Sequence, residues 1–237
     1  MSDEISVPSA TLHDAAYLRV LAAHGTAVVS DALDLAGIDG QLWGPRRLSG
    51  HGPVVGPAFT VRFERVEPGT PAAAADFLDD VPSGAVVVLA AGSATCTVWG
   101  DILAEVALAR GVAGTVIDGL CRDIDGIREF DYSLWAHGAF MRSGKNRLRM
   151  AAVQQAVELG RGEESRTVRP GDIICADGSG VTVVPAASLA EVAASVDRIA
   201  AMEQQVLEEV RAGGRLRDAR KRHGYNLAAR QPTGNHA

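Results

Sequence analysis

Aromatic side chains are scarce in this chain: Phe, Trp and Tyr together make up 5% of its 237 residues. A core must therefore be built from Ala, Val, Leu and Ile, and with 47% of residues hydrophobic there is ample material for one. Long apolar runs are missing too. None approaches the roughly eighteen residues of a membrane span, and residues 1–8 carry neither a basic nor an apolar segment. Neither a bilayer anchor nor a secretory leader is expected. Positive charge is in deficit: the formal net charge is −6, which argues against nucleic-acid binding by phosphate neutralisation but leaves protein partners open. Cys96, Cys121 and Cys175 are odd in number and far apart, with no Cys-x-x-Cys or Cys/His spacing to mark a zinc site or disulfide framework. A soluble protein of the reducing cytoplasm is expected. No Gly-rich loop after a first strand is followed by an acidic residue at the next strand end, the arrangement an adenosylmethionine site needs.

What is present is a succession of short elements, punctuated by 26 glycines and 10 prolines. Residues 11–24 have helical spacing through Leu12, Ala15, Ala16, Leu18 and Leu21. A second short helix is expected from Ser30 and Asp31, which can cap its backbone donors. Residues 58–63 alternate like a half-exposed strand, 71–78 read as a helix, 82–84 as a turn and 85–90 as an interior strand. Residues 102–110, rich in Leu, Ala and Val, predict a buried helix stopped by Gly111, and 114–117 predict another interior strand. A short helix over 125–130 and a strand over 134–140 follow, whereas 141–166 are charged and weakly patterned. Turns at 169–172 and 177–180 frame a hairpin of 173–176 and 181–184. A long helix over 186–210 carries the stripe Leu189, Val192, Val196, Ile199 and Met202. The basic tail, with Arg211, Arg215, Arg217, Arg220, Lys221, Arg222 and Arg230, reads as a surface or subunit-contact arm. With no linker and no repeat, one α/β domain over 1–237 is expected, its carboxy-terminal helix and arm beginning near 186.

Chemistry concentrates in Gly100-Asp101 and in Asp118-Gly119-Leu120-Cys121-Arg122-Asp123, separated by one helix and one strand. Asp118, Arg122 and Asp123 are expected at the carboxyl end of that strand, where open α/β sheets hold their ligands. Asp123 in such a loop suits a hard cation such as Mg²⁺, which keeps several waters and needs few protein carboxylates. Asp101 could hold one of those waters or act through it as acid or base. Arg122 offers a planar fork to a carboxylate or a developing enolate oxygen. Gly100 opens a helix whose first amides, Ile102 and Leu103, can receive a small carboxylate. Spacing alone also allows plainer roles: Asp101 and Asp123 as helix caps, Arg122 as the partner of any nearby acid, Cys121 as an inert thiol and His137 as a satisfied structural histidine.

Several separate motifs carry a family resemblance over about residues 30–203. They are Ser30-Asp31-Ala32-Leu33, Val55-Gly56-Pro57-Ala58-Phe59-Thr60-Val61-Arg62, Trp99-Gly100-Asp101, residues 110–119, Arg122-Asp123, Pro170-Gly171-Asp172 and Gly180-Val181-Thr182-Val183-Val184-Pro185. In these the chain resembles the regulator of ribonuclease activity A-like superfamily, which includes the class II 4-hydroxy-4-methyl-2-oxoglutarate/4-carboxy-4-hydroxy-2-oxoadipate aldolases. The resemblance implies a swivelling β/β/α fold in an αββα arrangement, assembled as trimers or hexamers with sites at subunit interfaces. It implies Mg²⁺ or Mn²⁺ bound directly by Asp123 and through water by Asp101, with Glu203 of a neighbouring chain holding a further water. Arg122 would bind the 2-oxo acid end of the substrate, with Gly100 and the amides of Ile102 and Leu103 receiving its carboxylate. The implied activity is cleavage of a 4-hydroxy-2-oxo acid to pyruvate through a metal-stabilised enolate, with oxaloacetate decarboxylation alongside. Regulators that bind ribonuclease E or a helicase share this fold, so a non-catalytic role is the alternative. The chain departs from the family pattern over 141–166 and at Asp177-Gly178-Ser179-Gly180, which bears on substrate specificity more than on the metal.

Overall fold

The computed structural model describes residues 12–67, 76–92 and 95–225. In chain order the elements are α1 (Leu12–Leu35), β1 (Gln41–Leu42), β2 (Arg46–Ser49), β3 (Val54–Arg65), β4 (Val86–Ala90), β5 (Thr97–Trp99), α2 (Asp101–Ala109), β6 (Gly114–Cys121), α3 (Ile124–Glu129), β7 (Leu134–Ala139), β8 (Leu148–Val153), β9 (Val157–Leu159), β10 (Arg166–Val168), β11 (Ile173–Ala176), β12 (Val181–Val184), α4 (Leu189–Arg211) and α5 (Leu216–Arg222). The main sheet runs β1-β12-β11-β3-β4-β6-β7-β2, with β5 added to β6 and β8 to β3, while β9 and β10 form a separate ribbon.

The twelve-residue strand β3 joins the two halves of this sheet. Its start pairs antiparallel with β11, Val55 opposite Cys175, and its middle pairs parallel with β4, Phe59 opposite Val87. Val61 and Arg62 pair with both β4 and β8, so β8 lies on the edge that β11 occupies farther back. Gly56 lets the strand pass the β4 entry turn, because a Cβ there would lie 2.3 Å from the Gly84 carbonyl oxygen.

Side-chain alternation sorts the core into layers. In β4, Val87 and Leu89 face a core shared with Ala104, Ala107 and Ile127 of α2 and α3. Val86, Val88 and Ala90 face the opposite way, toward Ile174, Ala176, Val181 and Val183 of the β11–β12 hairpin. The outer face of that hairpin, through Ile173, Cys175 and Val184, packs on Leu21, Val29 and Leu33 of α1 and Val192, Val196 and Ile199 of α4. Helices, parallel strands, antiparallel strands and helices thus stack in four layers, the expected αββα arrangement. Strands buried on both faces explain why residues 85–90 carry an unbroken apolar run.

Several expectations need correction. The separate helix expected at Ser30 is present but begins earlier: Gly25, at φ 76° and ψ 172°, divides α1 into two helices, and the second begins at Thr26. The cap comes from far along the chain: Thr26 N–H and Oγ1–H donate to the Asp177 carboxylate at 2.8 and 2.6 Å. Helix α2 is not buried throughout, for only Ala104 and Ala107 are, and Ile102, Val106 and Leu108 are exposed. Strand β6 extends to Cys121, so Asp118 lies within it and not beyond its end. The weakly patterned 141–166 region contains β8 and β9 and enters both sheets. The basic tail is helical over Leu216–Arg222 and folds onto α4, where Glu209 receives Arg222 at 2.6 Å and His223 at 3.0 Å. Most of the helix expected over 71–78, and Arg230, lie outside the described residues; within that span, Asp76–Asp80 is a short 3₁₀ turn. Among the described residues no helix is long and apolar enough to cross a membrane.

Asp177 is the polar fastening between hairpin and helix. Its carboxylate also accepts the Ser179 amide at 2.7 Å, and its carbonyl accepts the Trp135 indole N–H at 2.8 Å. Burial raises its pKa, but the donors of Thr26, Ser179 and Gly180 outweigh that and leave it below the ordinary value. A depressed carboxylate stabilises the fold above its unfolded pKa, about 3.9, and loses that contribution as pH falls through the folded value. Asp177→Ala is expected to cost about 1–3 kcal/mol in urea unfolding at pH 7. Its stability should also decline less than the wild type's between pH 5 and pH 3; parallel declines would remove Asp177 from this role.

Candidate active site

The site arises at the ends of two parallel strands, β5 and β6, whose register shifts between Thr97 and Trp99. Trp99 at the end of β5 stands opposite Cys121 at the end of β6, and the Arg122 amide continues the ladder by donating to the Trp99 carbonyl at 3.1 Å. The next residues on each strand, Gly100-Asp101 and Arg122-Asp123, therefore emerge side by side. Gly100 is extended, so its value lies in space: a Cβ there would stand 2.6 Å from Asp123 Oδ2 and 3.1 Å from Arg122 Nε. Arg122 Nε lies 3.0 Å from Asp123 Oδ2, with the two side chains 37% and 35% exposed, firmly enough seated to be placed yet open to a ligand.

The helix-cap alternatives now resolve. Asp123 does occupy the N-cap position of α3, but its side chain makes no capping bond and turns to Arg122. It sits in the left-handed region at φ 59° and ψ 33°, a conformation that costs a non-glycine residue about 1–3 kcal/mol. For α2 the N-cap is Gly100, and Asp101 is the first helical residue. The Asp101 carboxylate accepts the Ile102 amide at 2.8 Å, so a substrate carboxylate reaching that amide must turn Asp101 aside.

Gly100, Asp101, Ile102, Leu103 and Arg122 line a cleft of about 410 Å³; Asp123 does not line it and is joined to it through its pairing with Arg122. Its other side is formed by Asp76 of the 3₁₀ turn, which sequence reasoning did not single out, and by Ser143, Gly144, Lys145 and Leu148 of the 141–166 region, whose bearing on the substrate was expected without these residues being named. That segment is tied to β5 by Thr97 N–H donating to the Arg142 carbonyl at 2.9 Å and Gly144 N–H to the Thr97 carbonyl at 2.8 Å. The one local signal was Gly144, where a Cβ would lie 2.6 Å from the Thr97 carbonyl oxygen.

Other candidates fall away from the cleft. Cys121 is fully buried, its Sγ directed at the Trp99 and Arg122 carbonyls, and burial pushes its thiol up to about 12, so it is no nucleophile. His137 Nε2 meets Asp118 Oδ1 at 2.7 Å and Asp118 Oδ2 accepts the Gly160 amide at 3.2 Å, the satisfied structural arrangement expected of it. Glu203 lies half-buried on α4 and does not line the cleft of its own chain.

Among the described residues no group of three or more His, Cys, Asp or Glu side chains could hold an ion, which does not fit a tetrahedral zinc site. A hard cation that keeps most of its waters does fit, because Asp123 presents an accessible carboxylate in the space Gly100 leaves and Asp101 stands on the neighbouring helix end.

A four-layer α/β fold with two carboxylates and a guanidinium gathered beyond adjoining parallel strands defines a class of anion- and cation-binding sites at a sheet's carboxyl edge. The Aldolase/RraA description of RraA-like proteins matches residues 26–183, and the chain belongs to that family. It is 37% identical over 203 residues to Protein DlpA of Legionella pneumophila, covering 84% of this chain and 32% of that protein, so the chain spans about a third of that relative's length. Over 161 residues it is 31% identical to a Halalkalibacterium halodurans protein named "Putative 4-hydroxy-4-methyl-2-oxoglutarate aldolase", covering 68% of this chain and 72% of the relative. The crystal structure of Streptomyces coelicolor RraAS2, described as an unusual member of the RNase ES inhibitor RraA protein family, superposes with a TM-score of 0.68 at 30% identity, covering 84% of this chain and 96% of that one.

Because a methyl at position 100 meets Asp123 directly, Gly100→Ala is expected to weaken Mn²⁺ binding at least tenfold in a calorimetric titration. The melting temperature should fall by only about 2–8 °C, corresponding to roughly 1–2 kcal/mol. Unchanged Mn²⁺ affinity would separate Asp123 from ion binding.

Proposed function

We propose that this chain is a divalent-metal-dependent lyase that cleaves a 4-hydroxy-2-oxo acid to pyruvate and a second oxo compound. The observation that carries the reading is the placement of Arg122 and Asp123 against the bare backbone of Gly100, with Asp101 one residue away on the cleft wall. Asp123 would hold Mg²⁺ or Mn²⁺ directly and Asp101 through water, with Glu203 of a neighbouring copy contributing at a trimer or hexamer interface. When bound, the ion supplies Lewis acidity to the substrate's 2-oxo group.

The chain's own residues account for the remaining demands. Arg122 offers parallel donors to the 2-oxo acid end and stays in place as negative charge develops on the C2 oxygen. The first turn of α2, at Ile102 and Leu103, presents its amides to the substrate carboxylate once Asp101 swings away from Ile102. That movement frees the Asp101 carboxylate to take the C4 hydroxyl proton through a water. Loss of that proton breaks the C3–C4 bond, and C3 is reprotonated from solvent. Oxaloacetate reaches the same enolate by losing CO₂, so its decarboxylation is a side activity of this reading. The three buried free thiols suit a reducing cytoplasm.

A second reading, a non-catalytic regulator binding ribonuclease E or a helicase, draws on the likeness to RraAS2. The two part on one assay: pyruvate release from oxaloacetate and from 4-hydroxy-4-methyl-2-oxoglutarate, each with Mg²⁺ and with EDTA. Release that requires metal and falls at least a hundredfold, about 2.7 kcal/mol, in Arg122→Ala and Asp123→Ala is expected. Wild-type activity in either variant would overturn the lyase assignment. No turnover, with stoichiometric capture of ribonuclease E, would establish the regulator.

A further inference from the structure

We infer that Arg65, Arg142, Lys145 and Arg147 form a cationic rim on the cleft, which captures 4-hydroxy-2-oxo acids bearing a second carboxylate in preference to those bearing one. This rests on the lyase reading above and adds the charge class of the substrate. The chain carries a formal net charge of −6, so cations gathered on one cleft depart from its general balance.

Backbone bonds put them there. The Arg142 carbonyl accepts the Thr97 amide at 2.9 Å, which joins this segment to β5. The Arg147 and Leu148 amides both donate to the Gly144 carbonyl, at 2.8 and 2.9 Å, closing a tight turn with Lys145 and Asn146 at its tip. Lys145 is exposed there and lines the cleft. Arg147 Nη1 donates to the Ser143 and Lys145 carbonyls at 3.3 and 3.2 Å. Those acceptors are neutral, so the bonds place the guanidinium beside two cleft-lining residues without cancelling its charge. Arg65 on β3 stands opposite Leu148 on β8, which also lines the cleft.

A buried neighbour registers the same cluster. Burial raises the Cys96 thiol above its ordinary value, and the positive charges of Arg147, Arg65 and Arg142 act against that rise. Cys96 directly precedes the cleft-lining Thr97, so these charges stand close to the cleft. Nearby acids do not balance them. Glu64 is engaged by Arg149 Nε at 2.6 Å and by Arg62 Nη1 at 3.5 Å. Among the described residues of β3, β8 and the cleft wall, outside the Asp101–Asp123 group, that leaves Asp76, with Glu67 two residues past β3. Charge of one sign around a cleft concentrates ions of the other and raises their association rate by about 10–1,000-fold. A second carboxylate on the substrate enlarges that attraction. Such a rim demands no fixed pairing geometry, which suits exposed side chains.

The test uses two substrates of similar shape, 4-hydroxy-4-methyl-2-oxoglutarate and 4-hydroxy-4-methyl-2-oxopentanoate, in which a methyl replaces the second carboxylate. It follows the ratio of their kcat/KM values in the full chain with saturating Mg²⁺, so that effects of salt on the metal cancel. Raising the ionic strength from about 0.01 M to about 0.15 M shortens the Debye length from about 30 Å to about 8 Å, and should lower the ratio roughly threefold. At the lower salt, Lys145→Gln and Arg142→Gln should lower it roughly fivefold and twofold, and each should flatten its salt dependence. Arg19→Gln removes the same charge beside Pro53, Val54 and Ala113, at the amino ends of β3 and β6, and should leave the ratio at its wild-type value. A ratio indifferent to salt and to Lys145→Gln, or an equal loss in Arg19→Gln, overturns this inference alone if pyruvate release still requires metal. Absence of pyruvate from both substrates overturns the lyase reading with it.

Discussion

Everything at the site depends on the parallel pairing of β5 with β6. Because Trp99 pairs with Cys121, past a register shift after Thr97, the residues that follow them leave the sheet together, and Gly100 contributes no side chain to hold them apart. A shift of one residue would send Trp99 out of the core where it stacks on Tyr132, with ring centroids 6.1 Å apart. Core packing and site geometry are thus one constraint. A buried aromatic holds the pairing, and the pairing sets Arg122 and Asp123 beside Gly100 with Asp101 on the cleft wall.

The same economy recurs in β3. One strand long enough to serve the parallel and the antiparallel halves lets a single sheet curl into two inner layers, each covered by its own pair of helices. The hairpin that closes the antiparallel half is fastened to α1 through Asp177, which satisfies the amide exposed where Gly25 breaks the helix. Residues 177–180 therefore serve the scaffold, while Ser143, Gly144, Lys145 and Leu148 supply part of the cleft wall.

Much of the fold was legible along the chain. Continuous apolar runs marked β4 and the start of β6, paired turn motifs marked the β11–β12 hairpin, and a three-to-four spacing marked α4, because each reflects a local period or a local turn. The 141–166 region was not legible. Strand β8 is half-buried along most of its length and β9 is three residues long, so neither leaves a clear two-residue period. The partition of α1 was misread for a related reason: Ser30 and Asp31 are good capping types, yet the amide that needs a cap is at Thr26 and its acceptor lies 151 residues away.

The sequence by itself determined the central strands, the hairpin, the long carboxy-terminal helix and the residue types brought to the strand ends, since these follow from hydrophobic period and turn chemistry. Only the tertiary structure decided that Asp123 faces Arg122 and not its own helix, that Asp101 covers the Ile102 amide, and that Asp76, Lys145 and Leu148 complete the cleft. These are matters of which atoms share a small volume. Short-range pattern carries no information about that volume until the sheet has fixed the distances.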